Sequence, residues 1–560
     1  MRPFLGFVSI PLLGSLVGCS SLFHPFTYAE PNNCVANPSS CGAGWECNIQ
    51  REVCEPSVAL PLVSRLVWRQ QAKLLASDGT IGDFLGSSVA LSGDTALIGA
   101  PYVDVGASPN AGAGYAFVLD PDRGLWKQQA KLAASDAGAG DLAGWVLALS
   151  GDTALVTARA AGSGAGLKAG AAYIYLRSPG QGTWAQQAKL VASDGAAGDM
   201  FGSHAALSQD TALIGASAAD AGGKIDSGAV YVFSRSSTSG AWVEQQPRLA
   251  PADLASGDDF GHAIALSGDT ALVGAPLADL GTRTDAGVVY VFVRASASGT
   301  WTQQAKLVAS DGTIGDGFGS AVALFGNTAL VGAPQAAQSD KAAAGAAYIF
   351  ERDPASGAWT QQLKLTAADG QAGDSLGFSV ALSAERAAVG ASYGDVPGQV
   401  DAGAVYLFRR DPVQGQAAWP LEIRLAATDA ATMDRGGFAI SLSANTLAVG
   451  APNADLPEAT DAGAGYIFQY AKQNGDPCAA PRECHSAFCV DGVCCDSACG
   501  GSDPTDCQAC SAAAGAIISS EGDGTCRPRR PGRLCRASTG AADPPESCDG
   551  QALSCPADLR

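Results

Sequence analysis

Aspartate pairs recur along this sequence at a fixed spacing, and they are its best candidates for binding a ligand. In each pair an Asp is followed, after five residues, by Asp or Asn: Asp104 and Asn110, Asp220 and Asp226, Asp279 and Asp285, Asp395 and Asp401, and Asp455 and Asp461. Carboxylate oxygens are the ligands that calcium prefers. An Asp in a turn also accepts hydrogen bonds from nearby backbone amides, and surface acid also favours solubility. The sequence leaves these three roles open.

A second set of acids precedes a recurring Phe-Gly pair: Asp78 and Asp83, Asp194 and Asp199, Asp311 and Asp316, and Asp369 and Asp374. If strands alternate in direction, both sets emerge on one face. That face would be strongly acidic and is the candidate binding surface. If a metal binds there, Asp279 and Asp285 would meet Asp253 and Asp258 of the same repeat.

Catalytic motifs are absent from the sequence. The four histidines include His204 and His262, which follow Phe-Gly in adjacent repeats and are expected to lie close together near a channel. We find no nucleophile elbow, no zinc-protease motif and no phosphate-binding loop. The sequence therefore predicts no catalytic residue.

A repeat of about 58 residues organises most of the chain. Seven units begin at Trp68, Trp126, Trp184, Trp242, Trp301, Trp359 and Trp419. Each contains four short runs with alternating apolar residues, like "SAVALFG", "TALVGAP", "GVVYVFV" and "WTQQAKL", separated by Gly, Asp and Ser turns. Four strands per unit with no room for a helix predict an all-β fold, a seven-bladed β-propeller of four-stranded blades over residues 66–472.

Chain order also predicts how the ring closes. The run "WRQQAKL", residues 68–74, precedes the first strand of the Phe-Gly type, while the last unit ends after "GYIFQY" with no such run behind it. The N-terminal strand is therefore expected to complete the C-terminal blade, which leaves fewer open strand edges.

The repeat resembles the FG-GAP repeat, on the residues Phe318-Gly319 with Gly332-Ala333-Pro334 and Phe260-Gly261 with Gly274-Ala275-Pro276. This resemblance implies the propeller of integrin alpha subunits and of bacterial surface proteins. Individual copies depart from it, as at Thr157-Ala158-Arg159. The calcium loop of integrin-like members would fall at "LSGDT", residues 266–270, where one carboxylate cannot supply the oxygens that calcium takes. No cofactor is expected to be required.

The N-terminus resembles a bacterial lipoprotein signal. Residues 1–18 carry one early Arg and a short apolar run, and Leu16 to Cys19 is similar to the lipobox. The resemblance implies cleavage before Cys19, lipid attachment to its thiol, and a linker over residues 19–33. The alternative is an ordinary secretory signal with an incidental cysteine.

Cysteines cluster at both ends of the chain, at residues 34–54 and 478–555, and are absent between Cys54 and Cys478. Even numbers in an exported protein predict disulfide-rich modules, with zinc as the weaker alternative. The stretch from Cys478 to Cys499 resembles the N-terminal cysteine-rich region of Dickkopf proteins.

A formal net charge of −20 argues against a nucleic-acid partner. Together these features predict a non-enzymatic, lipid-anchored protein of the bacterial outer membrane or cell surface, whose propeller loops bind an extracellular protein or glycan. The alternative is an exported hydrolase or other enzyme that uses the mouth of the channel.

Overall fold

The computed structural model describes residues 66–120, 123–162, 168–178, 180, 182–295, 299–411 and 418–472, together with short strands nearer the two ends. The predicted signal peptide, Cys19 and the linker lie outside the described residues, as do the cysteine-rich segments apart from those short strands. No helix in the described part of the chain is long and apolar enough to cross a membrane.

One short hairpin belongs to the N-terminal unit, residues 1–64. In it β1 (Trp45–Asn48) pairs antiparallel with β2 (Val53–Pro56), with Cys47 opposite Cys54 in the register. The next strand along the chain is β3 (Leu66–Leu74).

Seven four-stranded antiparallel sheets form the blades of the propeller, and each is named here by its place in the chain. Blade 1 contains β4 (Ser88–Ser92), β5 (Thr95–Ala100), β6 (Ala113–Asp120) and β7 (Leu125–Leu132); blade 2 contains β8 (Ala143–Ser150), β9 (Thr153–Ala158), β10 (Ala171–Arg177) and β11 (Trp184–Leu190); blade 3 contains β12 (Phe201–Ser208), β13 (Thr211–Ala216), β14 (Ala229–Arg235) and β15 (Trp242–Leu249); blade 4 contains β16 (Ala263–Ser267), β17 (Thr270–Ala275), β18 (Val288–Arg294) and β19 (Trp301–Leu307). Blade 5 contains β20 (Ala321–Phe325), β21 (Thr328–Ala333), β22 (Ala346–Arg352) and β23 (Trp359–Leu365); blade 6 contains β24 (Leu376–Leu382), β25 (Arg386–Ala391), β26 (Ala404–Arg409) and β27 (Leu421–Leu425); blade 7 contains β28 (Ala439–Ser443), β29 (Thr446–Ala451), β30 (Ala464–Lys472) and β3. The predicted seven blades of four strands are confirmed.

Three short pairs occur in the C-terminal segment. They are β31 (Cys489–Val490) with β32 (Val493–Cys494), β33 (Gln508–Ala509) with β34 (Arg527–Pro528), and β35 (Leu534–Arg536) with β36 (Glu546–Ser547).

Blade 7 combines strands from the two ends of the propeller. The outer strand β3 pairs antiparallel with β30, from Leu66 opposite Lys472 to Leu74 opposite Gly465. Blades 7 and 1 also contact each other through the backbone, since the Leu85 N–H donates to the Ala462 carbonyl at 2.9 Å. The corresponding bond between blades 4 and 5, from Phe318 to Ala286, is 3.1 Å.

The burial of each strand follows from its place in the blade. Second strands such as β17 are buried at every position, whereas outer strands such as β19 carry polar side chains to solvent. The hydrophobic core lies between the blades: in one cluster Leu213 and Val232 of blade 3 pack with Val273 and Tyr290 of blade 4. Burial of this apolar surface between neighbours stabilises the ring as a whole, because no blade has a core of its own.

The glycine of the Gly-Ala-Pro motif lies at a close approach of neighbouring blades. A Cβ on Gly274 would lie 2.1 Å from the Gly319 carbonyl oxygen of the next blade, so a larger residue there needs a backbone shift. In blade 2 this position is Thr157, whose hydroxyl bonds instead to the Val146 backbone. The recurrence of the motif thus has a steric cause.

Candidate functional site

Two kinds of loop form one face of the propeller, called here the loop face. One kind joins the second and third strands of a blade, and the other is the connection from each blade to the next. They touch through the backbone: Gly315 in the connection to blade 5 donates to the Thr284 carbonyl of blade 4 at 3.0 Å. Both sets of aspartates identified in the sequence therefore lie on the loop face.

The first Asp of each spaced pair closes its loop. The Asp279 Oδ1 accepts the Asp285 backbone N–H at 3.0 Å, and Asp285 has a φ of 52°. The same bond joins Asp104 to Asn110, Asp220 to Asp226, Asp395 to Asp401 and Asp455 to Asp461, at 2.9–3.0 Å. These carboxylates thus make the turn, and the first member of each pair is also exposed to solvent.

The connections between blades contain a buried Asp near their ends. Asp258 Oδ2 accepts the Ala255 N–H at 2.7 Å, and its equivalents do the same three residues back in their own loops. Burial raises the pKa of Asp258 above its ordinary value, although the backbone hydrogen bond opposes this. This Asp organises the connection rather than facing solvent.

A second Asp in each connection forms an ion pair that spacing alone does not reveal. Lys306 on the outer strand of blade 4 lies 3.0 Å from Asp253. Burial opposes ionisation of Asp253, but the hydrogen bond and charge of Lys306 outweigh it and hold its pKa below the ordinary value. The equivalent pairs are Lys73 with Asp429, Lys131 with Asp78, Lys189 with Asp136, Arg248 with Asp194, Lys364 with Asp311 and Arg424 with Asp369. Seven Lys and Arg side chains therefore neutralise part of the negative charge that the sequence predicts for this face.

Three of the four candidate metal ligands already have a partner for their carboxylate. Asp253 pairs with Lys306, Asp258 holds its own loop, and Asp279 accepts from Asp285. Among the described residues there is no group of three or more His, Cys, Asp or Glu side chains placed to hold a metal ion.

We expect calcium to leave the melting temperature of the protein unchanged. A ligand that binds only the native state, at a hundredfold excess over its Kd, would raise stability by about 2.7 kcal/mol, which thermal denaturation detects easily. The comparison is between calcium and a chelator, in the wild type and in the Asp279→Ala, Asp285→Ala double variant. A calcium-dependent rise that the double variant abolishes would contradict this expectation.

At the inner end of the loop face, around the central channel, side chains differ from blade to blade. The residue after the Phe-Gly glycine is Ser87, Trp145, Ser203, His262, Ser320, Phe378 or Phe438. All seven lie at the start of an inner strand, where the propeller brings them around its axis. We call these residues and their immediate contacts the channel end.

Aromatic and basic side chains contact one another at the channel end. The Arg159 guanidinium lies 3.2 Å from the centre of the Trp145 ring, and Arg435 lies 4.8 Å from that of Tyr393. Ring pairs here include Phe84 with Tyr102 at 5.3 Å, Phe378 with Phe438 at 5.0 Å and with Tyr393 at 6.3 Å, and His204 with His262 at 5.1 Å. Sequence reasoning identified the histidines but missed the arginines; departure from the repeat at these positions was the available signal.

The two histidines differ in their surroundings. Burial lowers the pKa of His204 to about 3, with further lowering by His262 and Arg159, and its Nδ1 has no hydrogen-bond partner among the described residues. His262 Nδ1 lies 2.7 Å from an Asp259 carboxylate oxygen. His204 is therefore neutral at physiological pH.

The opposite face carries arginines that join neighbouring blades. Arg294 of blade 4 donates to the Thr211 hydroxyl of blade 3 at 2.9 Å and to Asp269 at 2.7 Å. Arg177 makes the equivalent contacts with Thr95 and Asp152. These arginines are fixed between blades, as are Arg352 and Arg410, which reach Thr270 and Glu351.

Fold and loops together define a β-propeller built from one repeat, with Phe-Gly at the inner strand and Gly-Ala-Pro at the second. The chain belongs to the FG-GAP repeat family, whose model matches residues 68–117, 126–175, 184–233, 242–292, 301–350, 359–408 and 419–468. No curated protein matches the chain.

Proposed function

We propose that this protein is a non-enzymatic recognition scaffold of the bacterial cell surface, whose loop face binds an extracellular protein or glycan. The observation that carries the proposal is the variation at the channel end, in a ring where most other positions repeat. Seven copies of one unit serve as an internal comparison: most residues needed for the blade recur, so variation that is concentrated at one partly exposed end of the ring favours recognition.

The variable residues have the character of a binding surface. Tyr, Trp, Phe and Arg are enriched at interaction sites because they combine a large contact area with few rotatable bonds or with planar hydrogen-bond donors. Here Trp145, Tyr393, Phe378 and Phe438 are only half-buried, so part of each ring remains accessible. The acidic loops around the channel end would favour a partner with a basic surface.

One contact supports the enzymatic alternative, a hydrolase that uses the mouth of the channel. Asp259 and His262 stand in the relation of an orienting carboxylate and a general base. No contact in the described residues links a nucleophile to that imidazole, which favours binding over catalysis.

To test recognition, the mature full-length chain is applied to a panel of matrix proteins and glycans, and a hit is retested with Phe378→Ser, Phe438→Ser. Serine occupies this position in blades 1, 3 and 5, so the ring tolerates it. We expect the double variant to lose binding at an unchanged melting temperature, and the exposed outer-strand variant Lys127→Ser to retain it. Turnover of a panel substrate would instead support the hydrolase.

Export and anchoring complete the proposal. Residues 1–18 act as a lipoprotein signal, Cys19 carries the lipid, and the cysteine-rich ends are disulfide-linked modules, the C-terminal one Dickkopf-like. Pairing of β3 with β30 closes the ring.

Cys19→Ala is expected to move the protein from the membrane fraction to the soluble one; an unchanged distribution would refute the anchor.

A further inference from the structure

Blade 2 departs from the repeat at two positions that touch each other. Arg159 replaces the third residue of Gly-Ala-Pro, which is proline or serine elsewhere: Pro101, Ser217, Pro276, Pro334, Ser392 and Pro452. Trp145 stands where three other blades have serine, and the Arg159 guanidinium stacks on its ring at 3.2 Å. Two linked departures in one blade indicate a local adaptation that the propeller itself does not require.

Arg159 differs from the repeated cations of the loop face because it has no acidic partner. Lys306 and its equivalents each pair with an Asp, whereas Arg159 forms no hydrogen bond or ion pair with any residue that the structure describes. It is half-buried, and burial lowers its pKa, yet a guanidinium stays charged at physiological pH. A partly desolvated charge without a counter-ion is unfavourable until an anion binds.

The loop after the second strand of blade 2 lacks, in its sequence, the spaced acids found in the neighbouring blades. Blades 1 and 3 carry Asp104 and Asp220 in the loop after the second strand, but blade 2 has Gly162 and Lys168 at the spaced positions. The Lys168 ammonium lies 3.4 Å from the Ala139 carbonyl, in the connection that leads to this blade. Blade 2 therefore presents two cations, Arg159 and Lys168, between neighbouring blades whose loops carry aspartates.

We infer that Arg159, held flat by Trp145, binds the carboxylate of a single Asp or Glu side chain on a partner protein. A planar guanidinium stacked on an aromatic ring keeps its N–H edge in place for a bidentate carboxylate. A single acidic side chain would bind Arg159, and a basic surface around that side chain would face the acidic loops of the neighbouring blades. A polyuronate glycan would bring many charges against those loops and be repelled.

This inference rests on the proposed recognition function, and a short peptide tests it. The probe has a central glutamate between serines and two lysines at each end; its twin has glutamine at the centre. We expect the wild-type full-length chain to bind the glutamate peptide about tenfold more tightly, the scale of one charge-assisted hydrogen bond. Arg159→Ser, with the residue of blades 3 and 6, should bind both peptides equally, and the exposed control Arg123→Ser should keep the preference.

Unfolding of Arg159→Ser is checked by melting temperature, and Arg159→Gln provides a second neutral variant. Equal affinity of the two peptides for the wild type, no binding of either, or a preference that survives in both Arg159 variants would overturn the inference. Tighter binding of an oligouronate would show that the partner class is wrong. If the Phe378→Ser, Phe438→Ser variant still loses its partner in those cases, the proposed function stands and only the Arg159 site fails.

Discussion

Replacing Arg386 by alanine is expected to lower the free energy of unfolding by about 3–5 kcal/mol, the usual effect of removing one partner from a buried ion pair. Arg386 is 2% exposed, and its Nε donates to Glu422 at 2.8 Å. Its guanidinium also lies 4.0 Å from the centre of the Tyr470 ring in blade 7. The alanine variant would leave the Glu422 carboxylate partly buried without its main counter-ion.

Three departures from the repeat meet at this junction of blades 6 and 7. Arg386 occupies the place of a threonine that in other blades accepts from an arginine of the next blade, as Thr211 does from Arg294. Tyr470 occupies the place of that arginine, so the two roles are exchanged across the junction. Glu422 stands where other outer strands have a glutamine. That glutamine accepts a hydrogen bond from the Trp indole N–H of the next blade, as Gln71 does from Trp126 at 3.1 Å.

The exchange explains why the Trp68 indole nitrogen has no hydrogen-bond partner in the part of the chain that the structure describes, since the side chain that would accept from it is bound to Arg386. The double variant Arg386→Thr, Glu422→Gln restores both repeat residues. It should lose much less stability than Arg386→Ala, because no unpaired charge stays buried. Urea denaturation measures both, with Arg123→Ala as the exposed control. A loss for Arg386→Ala no larger than for the control would show that the pair is not stabilising.

Repetition is what made the blades predictable from sequence. Seven copies of one unit repeat the same alternation, so each strand type occurs several times, and the turn acids fall between strands wherever they occur. The structure places those acids on one face for the reason expected, because consecutive strands run in opposite directions.

The ion pairs of the loop face were not foreseeable in the same way. Asp253 and Lys306 are 53 residues apart, and they meet only because the connection from blade 3 lies beside the outer strand of blade 4. The Arg159 and Trp145 contact joins two neighbouring strands, but its place at the channel end depends on the geometry of the whole ring. Side-chain partners of this kind follow from the fold and not from local spacing.

Deleting residues 66–74 is expected to destabilise the propeller more than any point substitution proposed above. The deletion removes the whole outer strand of blade 7, with the buried Trp68 and Leu74, and leaves β30 as an open edge. Loss of a buried Trp costs about 3–5 kcal/mol and loss of a buried Leu about 2–5 kcal/mol, before the lost backbone bonds are considered. Removal of the tail from Cys478 onward is the matched truncation and should shift the melting temperature far less.

If the deletion variant does not accumulate, Trp68→Ala compared with Trp184→Ala tests the same point. Trp184 occupies the equivalent place in blade 2, where the strand is continuous with its own blade. A synthetic peptide of residues 66–74 added to the deletion variant should restore part of the melting temperature, because it can pair with the open edge of β30. Equal melting shifts for the two truncations, with no rescue by the peptide, would mean that pairing of β3 with β30 contributes little to holding the ring closed.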